Sequence, residues 1–165
     1  MSSTLSAIIL TLSDKGSVGE REDKSGKVVK TLLENAGYEI LEQVLLPDEK
    51  ALIEAELVRF CDVLDAALVI TTGGTGFSPR DITPEATLAI AHRNVPGISE
   101  AIRAFSMKLT KRAMLSRGAS VIRNRTLIIN LPGSPKAVKE CLEHILPELQ
   151  HGIEVLREFA GECGG

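Results

Sequence analysis

Hydrophobic positions along this chain switch repeatedly between strand-like and helix-like spacing. Residues 5–12 (Leu-Ser-Ala-Ile-Ile-Leu-Thr-Leu) make a branched apolar run of strand length, ended by the polar loop Ser13-Asp14-Lys15-Gly16-Ser17. Val28, Val29, Leu32, Leu33 and Ala36 then repeat at helical spacing, with Ser25 as the expected N-cap and Gly37 as the stop. Tyr38, Ile40, Val44 and Leu46 keep even parity and predict a second strand, closed by Pro47-Asp48-Glu49. Leu52, Ile53, Leu57, Phe60, Cys61 and Leu64 mark one helix face leading into residues 66–70 (Ala-Ala-Leu-Val-Ile). That short run has the composition of a strand buried on both faces.

Beyond it, Thr83-Pro84-Glu85 reads as a helix start, with a hydroxyl cap, a proline at the first helical position and an acid in the first turn; the helix is expected over residues 83–93. Another helix, from about Ser99, should bury Ile102, Phe105, Ser106 and Leu109. Residues 119–123 and 126–131 are branched runs separated by Asn124-Arg125, the spacing of a tight hairpin. A final amphipathic helix carries Val138, Cys141, Leu142, Ile145 and Leu146, with a kink or restart at Pro147, and residues 161–165 should fray. Alternating strands and helices predict a three-layer α/β/α fold, its sheet mostly parallel with one antiparallel strand from the hairpin. Right-handed crossovers would then gather the loops at residues 13–17, 47–49, 71–81 and 132–135 on one sheet edge, where such folds bind ligands.

Composition adds bounds. With 165 residues the chain fits one domain, 1–165, with a core over about residues 5–157. Cys61, Cys141 and Cys163 form no CxxC pair, which suggests reduced thiols in a cytoplasmic setting, the first two as core residues. No apolar run approaches membrane-helix length, so no membrane partner is expected. The net charge of -3 hides an asymmetry, because residues 80–139 hold 11 Lys or Arg against 3 Asp or Glu. That segment favours a polyanionic partner, or else forms a solvated face or an oligomer seam. Nucleic acid is not expected, since the chain is acidic overall and only 3% aromatic.

The candidate chemistry centres on Thr71-Thr72-Gly73-Gly74-Thr75-Gly76-Phe77-Ser78-Pro79-Arg80-Asp81. Its glycines permit a sharp turn and close approach of backbone N–H groups to an anion. It is not a dinucleotide fingerprint, because Pro79 stands where a third glycine would, and Lys24-Ser25 lacks the glycine of a Walker loop. No GxSxG elbow occurs, and His92, His144 and His151 have no ligand-like spacing, so they read as surface or packing residues. Asp81 follows the loop while Thr83 fills the cap position, and Asp48, either a cap or a site residue, comes from a loop on the same edge. Two such carboxylates within ~5 Å would repel by ~3 kcal/mol at an effective dielectric near 20. A divalent cation reverses that sign, and magnesium bound by one or two carboxylates plus substrate phosphates points to phosphoryl or nucleotidyl transfer.

Residues 71–87, with Ser13-Asp14, Asp23-Lys24-Ser25-Gly26, Leu46-Pro47-Asp48-Glu49, Ser116-Arg117 and Leu131-Pro132-Gly133-Ser134-Pro135, resemble the molybdopterin adenylyltransferase family over about residues 5–157. The resemblance implies a homotrimer that transfers AMP from MgATP to the terminal phosphate of molybdopterin, releases pyrophosphate and hands its product to a molybdenum insertase. It implies Asp48 and Asp81 as the essential carboxylates, binding Mg2+ or positioning the phosphates. Gly73, Gly74, Thr75 and Gly76 would cradle phosphate, and Ser13, Asp14, Arg80, Ser116, Pro132, Gly133 and Ser134 would contact ATP or molybdopterin. The alternative is a non-catalytic molybdopterin- or nucleotide-binding carrier or scaffold of the same fold.

Overall fold

The computed structural model describes residues 4–158. The expected fraying at residues 161–165 and the thiol of Cys163 lie outside the described residues. Strands β1 (Ser6–Leu12), β2 (Glu39–Leu46), β3 (Leu68–Thr72), β4 (Arg93–Asn94), β5 (Ser120–Arg123) and β6 (Thr126–Leu131) form one sheet in the order β2-β1-β3-β6-β5-β4. β2, β1, β3 and β6 pair in parallel, whereas β5 pairs antiparallel with both β6 and β4. The hairpin strand therefore runs against the other five, as its two-residue turn predicts, and Asn124 at φ 51 supplies the left-handed residue of that turn.

Side-chain parity sorts the core into two layers. Ala7, Ile9, Leu68, Ile70, Ile129 and Leu131 pack on one sheet face against α2 (Lys24–Asn35), α5 (Pro96–Met107) and α6 (Pro135–Leu156). Ile8, Leu10, Val69 and Ile128 pack on the other against α3 (Lys50–Val58) and α4 (Thr83–Ala89). Central strands thus bury both parities, which is why they read as continuous apolar runs. α2 crosses to β2 on one face and α3 crosses to β3 on the other, so the winding reverses beside β1 and β3. The crevice opens there.

Local differences from the sequence expectations have identifiable causes. The loop after β1 contains a short helical turn, α1 (Asp14–Ser17), because the Ser13 hydroxyl accepts from Gly16 N at 3.0 Å. Asp23, not Ser25, caps α2, accepting from Gly26 N at 2.8 Å. α3 passes into a π-helical turn, Arg59–Val63, and Leu52 is exposed because it lies off the buried face of Ile53, Leu57 and Phe60. α4 stops at Ala89, so Arg93 and Asn94 are free to pair with β5, a two-residue strand with no hydrophobic signal. Leu109 lies beyond the end of α5 and is exposed. α6 continues through Pro147 as one 22-residue helix. Cys61 and Cys141 are buried free thiols, and burial pushes Cys61 up to about 11.

Candidate active site

The carboxyl ends of β1, β2, β3 and β6 surround an open cleft of about 920 Å³, within the size range of small-molecule sites. All four predicted loops reach it. Ser13, Asp14, Asp48, Gly73, Gly74, Arg80, Asp81, Gly133 and Ser134 line the cleft. Thr75, Gly76, Ser116 and Pro132 lie outside this lining, and the backbone carbonyl of each is hydrogen-bonded within the fold. The carbonyls of Thr75 and Gly76 accept from Arg117, that of Pro132 accepts from the Thr72 hydroxyl, and that of Ser116 accepts from Arg103.

Backbone conformation builds the glycine loop. Gly73 and Gly74 take φ of 96 and 70, a region L side chains rarely adopt. A Cβ on Gly73 would lie 2.4 Å from the Leu12 carbonyl, and one on Gly74 would lie 2.2 Å from Thr83 Oγ1 and 3.0 Å from Asp48 Oδ1. The Thr83 hydroxyl is not the helix cap. It donates back to the Gly73 carbonyl at 3.0 Å and ties the loop to the first turn of α4.

Two acidic loops interlock beside it. Asp14 N donates to Asp48 Oδ2 at 3.2 Å, and Asp48 N donates to Asp14 Oδ1 at 3.0 Å. Arg80 reaches across from the glycine loop and grips both Asp14 oxygens, through Nε and Nη2, each at 2.9 Å. This fork, helped by the Asp48 amide, holds the Asp14 carboxyl down at about 2. Asp48 shifts the other way: burial raises its pKa first, the Asp14 charge adds to that, and Asp81 contributes a further repulsion. Asp48 Oδ1 is buried with no hydrogen-bond partner among the described residues. A bare carboxylate oxygen beside a phosphate-type loop is costly unless something positive or protic meets it. Asp81 spends one oxygen on Ser78 N, at 3.0 Å.

Two contacts at the cleft were not foreseen, although Asp23 and Ser25 lie in a stretch that carries the resemblance. Asp23 lines the cleft, held by the Thr11 hydroxyl at 2.8 Å, and Ser25 donates to the Gly133 carbonyl at 2.6 Å, joining the α2 N-terminus to the loop before α6. Polar Thr11 at the end of an otherwise apolar β1 was the available signal. Acids and bases are mixed along the cleft: five acids, Asp14, Glu22, Asp23, Asp48 and Asp81, face four bases, Lys15, Arg21, Lys24 and Arg80. Of the cationic segment only Arg80 enters the cleft. Arg103, Arg117 and Arg123 do not line it and bind carbonyls and carboxylates within the fold, Arg117 on the outer side of the glycine loop. His92 accepts from Asn124 N and His144 stacks on Phe105, packing roles as expected.

A doubly wound sheet with a glycine loop and paired carboxylates at its switch point defines an α/β anion-site protein. Comparison with known sequences makes this specific. The chain belongs to the family described as the probable molybdopterin binding domain, whose model matches residues 8–151. It is 43% identical over 150 residues to a molybdopterin adenylyltransferase of Helicobacter pylori, covering 90% of this chain and 85% of that one. It is 44% identical over 145 residues to the molybdopterin adenylyltransferase of Escherichia coli, covering 86% and 74%. Among solved structures, the molybdopterin biosynthesis enzyme MoaB of Thermus thermophilus superposes with a TM-score of 0.89 at 42% identity, covering 94% of this chain and 98% of that one.

Proposed function

We infer that this chain is a molybdopterin adenylyltransferase, a nucleotidyltransferase of molybdenum cofactor biosynthesis that joins AMP from ATP to the terminal phosphate of molybdopterin. The observation that carries this reading is the placement of Asp48 and Asp81, from separate loops, beside the glycine loop in a cleft where one Asp48 oxygen is buried and bare. Relatives named for this activity, matched over nine tenths of the chain, support it.

An oxygen of the molybdopterin terminal phosphate attacks the α-phosphorus of ATP, the bond to the bridging oxygen breaks, and pyrophosphate leaves with the electron pair. Such a transfer needs positioning and charge screening more than covalent help. The glycine loop offers backbone amides to phosphate oxygens, and Arg80 adds a cation at the cleft. Asp48 and Asp81 would hold Mg2+. The residues fit this ion, because it takes one or two carboxylates together with substrate phosphates, and no cluster of three or more metal-type ligands is needed or present among the described residues. When bound, magnesium neutralises charge developing on the phosphates. Without a cation the paired carboxylates would repel a polyanion, so passive binding is the weaker use of this cleft.

The test is to incubate the purified protein with molybdopterin, ATP and magnesium and to assay adenylylated pterin and pyrophosphate. Both should form in equal amounts. Tight pterin binding without product, insensitive to magnesium and ATP, would identify a carrier instead. Asp81→Ala should retain pterin affinity while kcat falls at least ~100-fold, equivalent to ~2.7 kcal/mol of transition-state stabilisation.

A further inference from the structure

The glycine loop is gripped from outside the cleft by one guanidinium. Arg117 Nε donates to the Gly76 carbonyl at 2.8 Å and Nη2 to the Asp81 carbonyl at 2.9 Å, while Nη1 pairs with Glu85 in the first turn of α4. Its own backbone N–H donates to the Thr75 carbonyl at 2.9 Å. Four contacts from one residue thus span the middle of the loop, its end and the helix that follows. Arg117 is absent from the cleft lining, although Asp81 lines it.

The root of this arm is itself braced. Arg103 of α5 donates to the Gly118 carbonyl at 2.9 Å, and a Cβ on Gly118 would come within 3.2 Å of the Asn130 carbonyl, so the backbone beside Arg117 lies close against β6. Ala119 N donates to Asn130 Oδ1, and Asn130 in turn donates to Thr71 and Thr87. The brace therefore connects to the strand that delivers the loop and to the helix that leaves it.

We propose that Arg117 is a positioning residue for Asp81, holding the loop carbonyls of Thr75, Gly76 and Asp81 so that the Asp81 carboxylate and the loop amides are preset for the phosphates. This deepens the adenylyl-transfer reading and rests on it for its kinetic consequence. The physical reason is geometric. Carbonyl oxygens committed to a guanidinium are not free to turn toward an anionic guest, and a planar fork fixes two acceptors at once, which an ammonium cannot do. Displacements of about 1 Å at a reacting centre suffice to cost ~100-fold in rate.

The experiment compares wild type, Arg117→Lys, Asp81→Asn and the double variant. Arg117→Lys should remain folded, with faster amide hydrogen exchange confined to residues 75–82. Its kcat should fall at least tenfold while KM for ATP and molybdopterin stays within threefold. In the Asp81→Asn background the same substitution should change kcat less than twofold, because its effect passes through Asp81. Methylguanidinium added to Arg117→Ala should restore part of the lost rate. Multiplied losses in the double variant, or unchanged exchange over residues 75–82 in Arg117→Lys, would overturn the proposal. If wild type makes no adenylylated pterin, the functional reading falls and the exchange measurement alone decides the brace. Should Arg117→Lys fail to fold, Glu85→Gln, which removes the facing charge at constant volume, should show the same loop-confined exchange and KM-against-kcat pattern at smaller amplitude; unchanged exchange would again overturn it.

Discussion

Asp14 and Asp48 donate backbone amides to each other's carboxylates, yet they titrate in opposite directions. The difference lies in Arg80, which grips Asp14, while Asp48 keeps a buried oxygen without a partner. A carboxyl raised by burial costs folding stability once it ionises, so the cost is absent below its ordinary value of 3.8 and appears as pH rises beyond it. Asp48→Asn can still accept from Asp14 N. It should therefore raise the ligand-free melting temperature at pH 7, the direction expected when a charge disfavoured by burial is removed. The gain should vanish below about pH 4, while adenylyl transfer is lost at every pH. Calorimetry across pH checks it, and a lower melting temperature at pH 7 would show that the bare oxygen is not a stored cost. Asp48 and Asp81 could be singled out from sequence because each follows a strand-ending signal. Asp23 and Arg117 fall within stretches that carry the family resemblance, but their contacts were not legible there, since their partners lie 12 and up to 42 residues away along the chain.

At the scale of elements, helix entries hold the cleft together. The α2 cap is a shared contact: Asp23 accepts from Gly26 N with one oxygen and from Thr11 at the end of β1 with the other. Asp23→Ala should remove both and destabilise the protein by ~1–2 kcal/mol, the range of a lost N-cap. Asp23→Asn should recover most of that loss, and equilibrium urea unfolding of the pair separates cap from charge. Ser25 was the better cap by local pattern, but the chain starts the helix two residues earlier and uses the Ser25 hydroxyl on Gly133. Thr83 shows the same override, its hydroxyl turned from capping α4 to holding the Gly73 carbonyl. In both cases a tertiary acceptor outcompetes the local one. β4 was invisible for a related reason, since two exposed polar residues become a strand only when β5 lies alongside.

For the whole molecule, the cationic segment takes on a different meaning. Several of its arginines donate to backbone carbonyls or pair with carboxylates within the fold, so it is not a basic track leading to the cleft. The exposed apolar side chains Met107, Leu109, Met114 and Leu115 cluster in sequence next to Lys108, Lys111 and Arg112. A homotrimer seam there would bury them, and sedimentation at micromolar concentration should give about three times the 17.7 kDa protomer mass. A stable monomer would refute the trimer. Among the described residues no helix is long and apolar enough to cross a membrane.

The alternation of branched strands, amphipathic helices and turn residues determined, by itself, the layer architecture, the hairpin and the four loops at one edge. These follow from periodicity and from the handedness of crossovers, which are local or chiral rules. Only the tertiary structure decided which oxygen of Asp48 stays bare, that Arg80 is held by Asp14, and that Arg117 clasps the glycine loop from behind. Those outcomes depend on distances between segments dozens of residues apart. Hydrogen-bond geometry resolves such contacts to tenths of an ångström, and the order of residues along a chain carries no such distance.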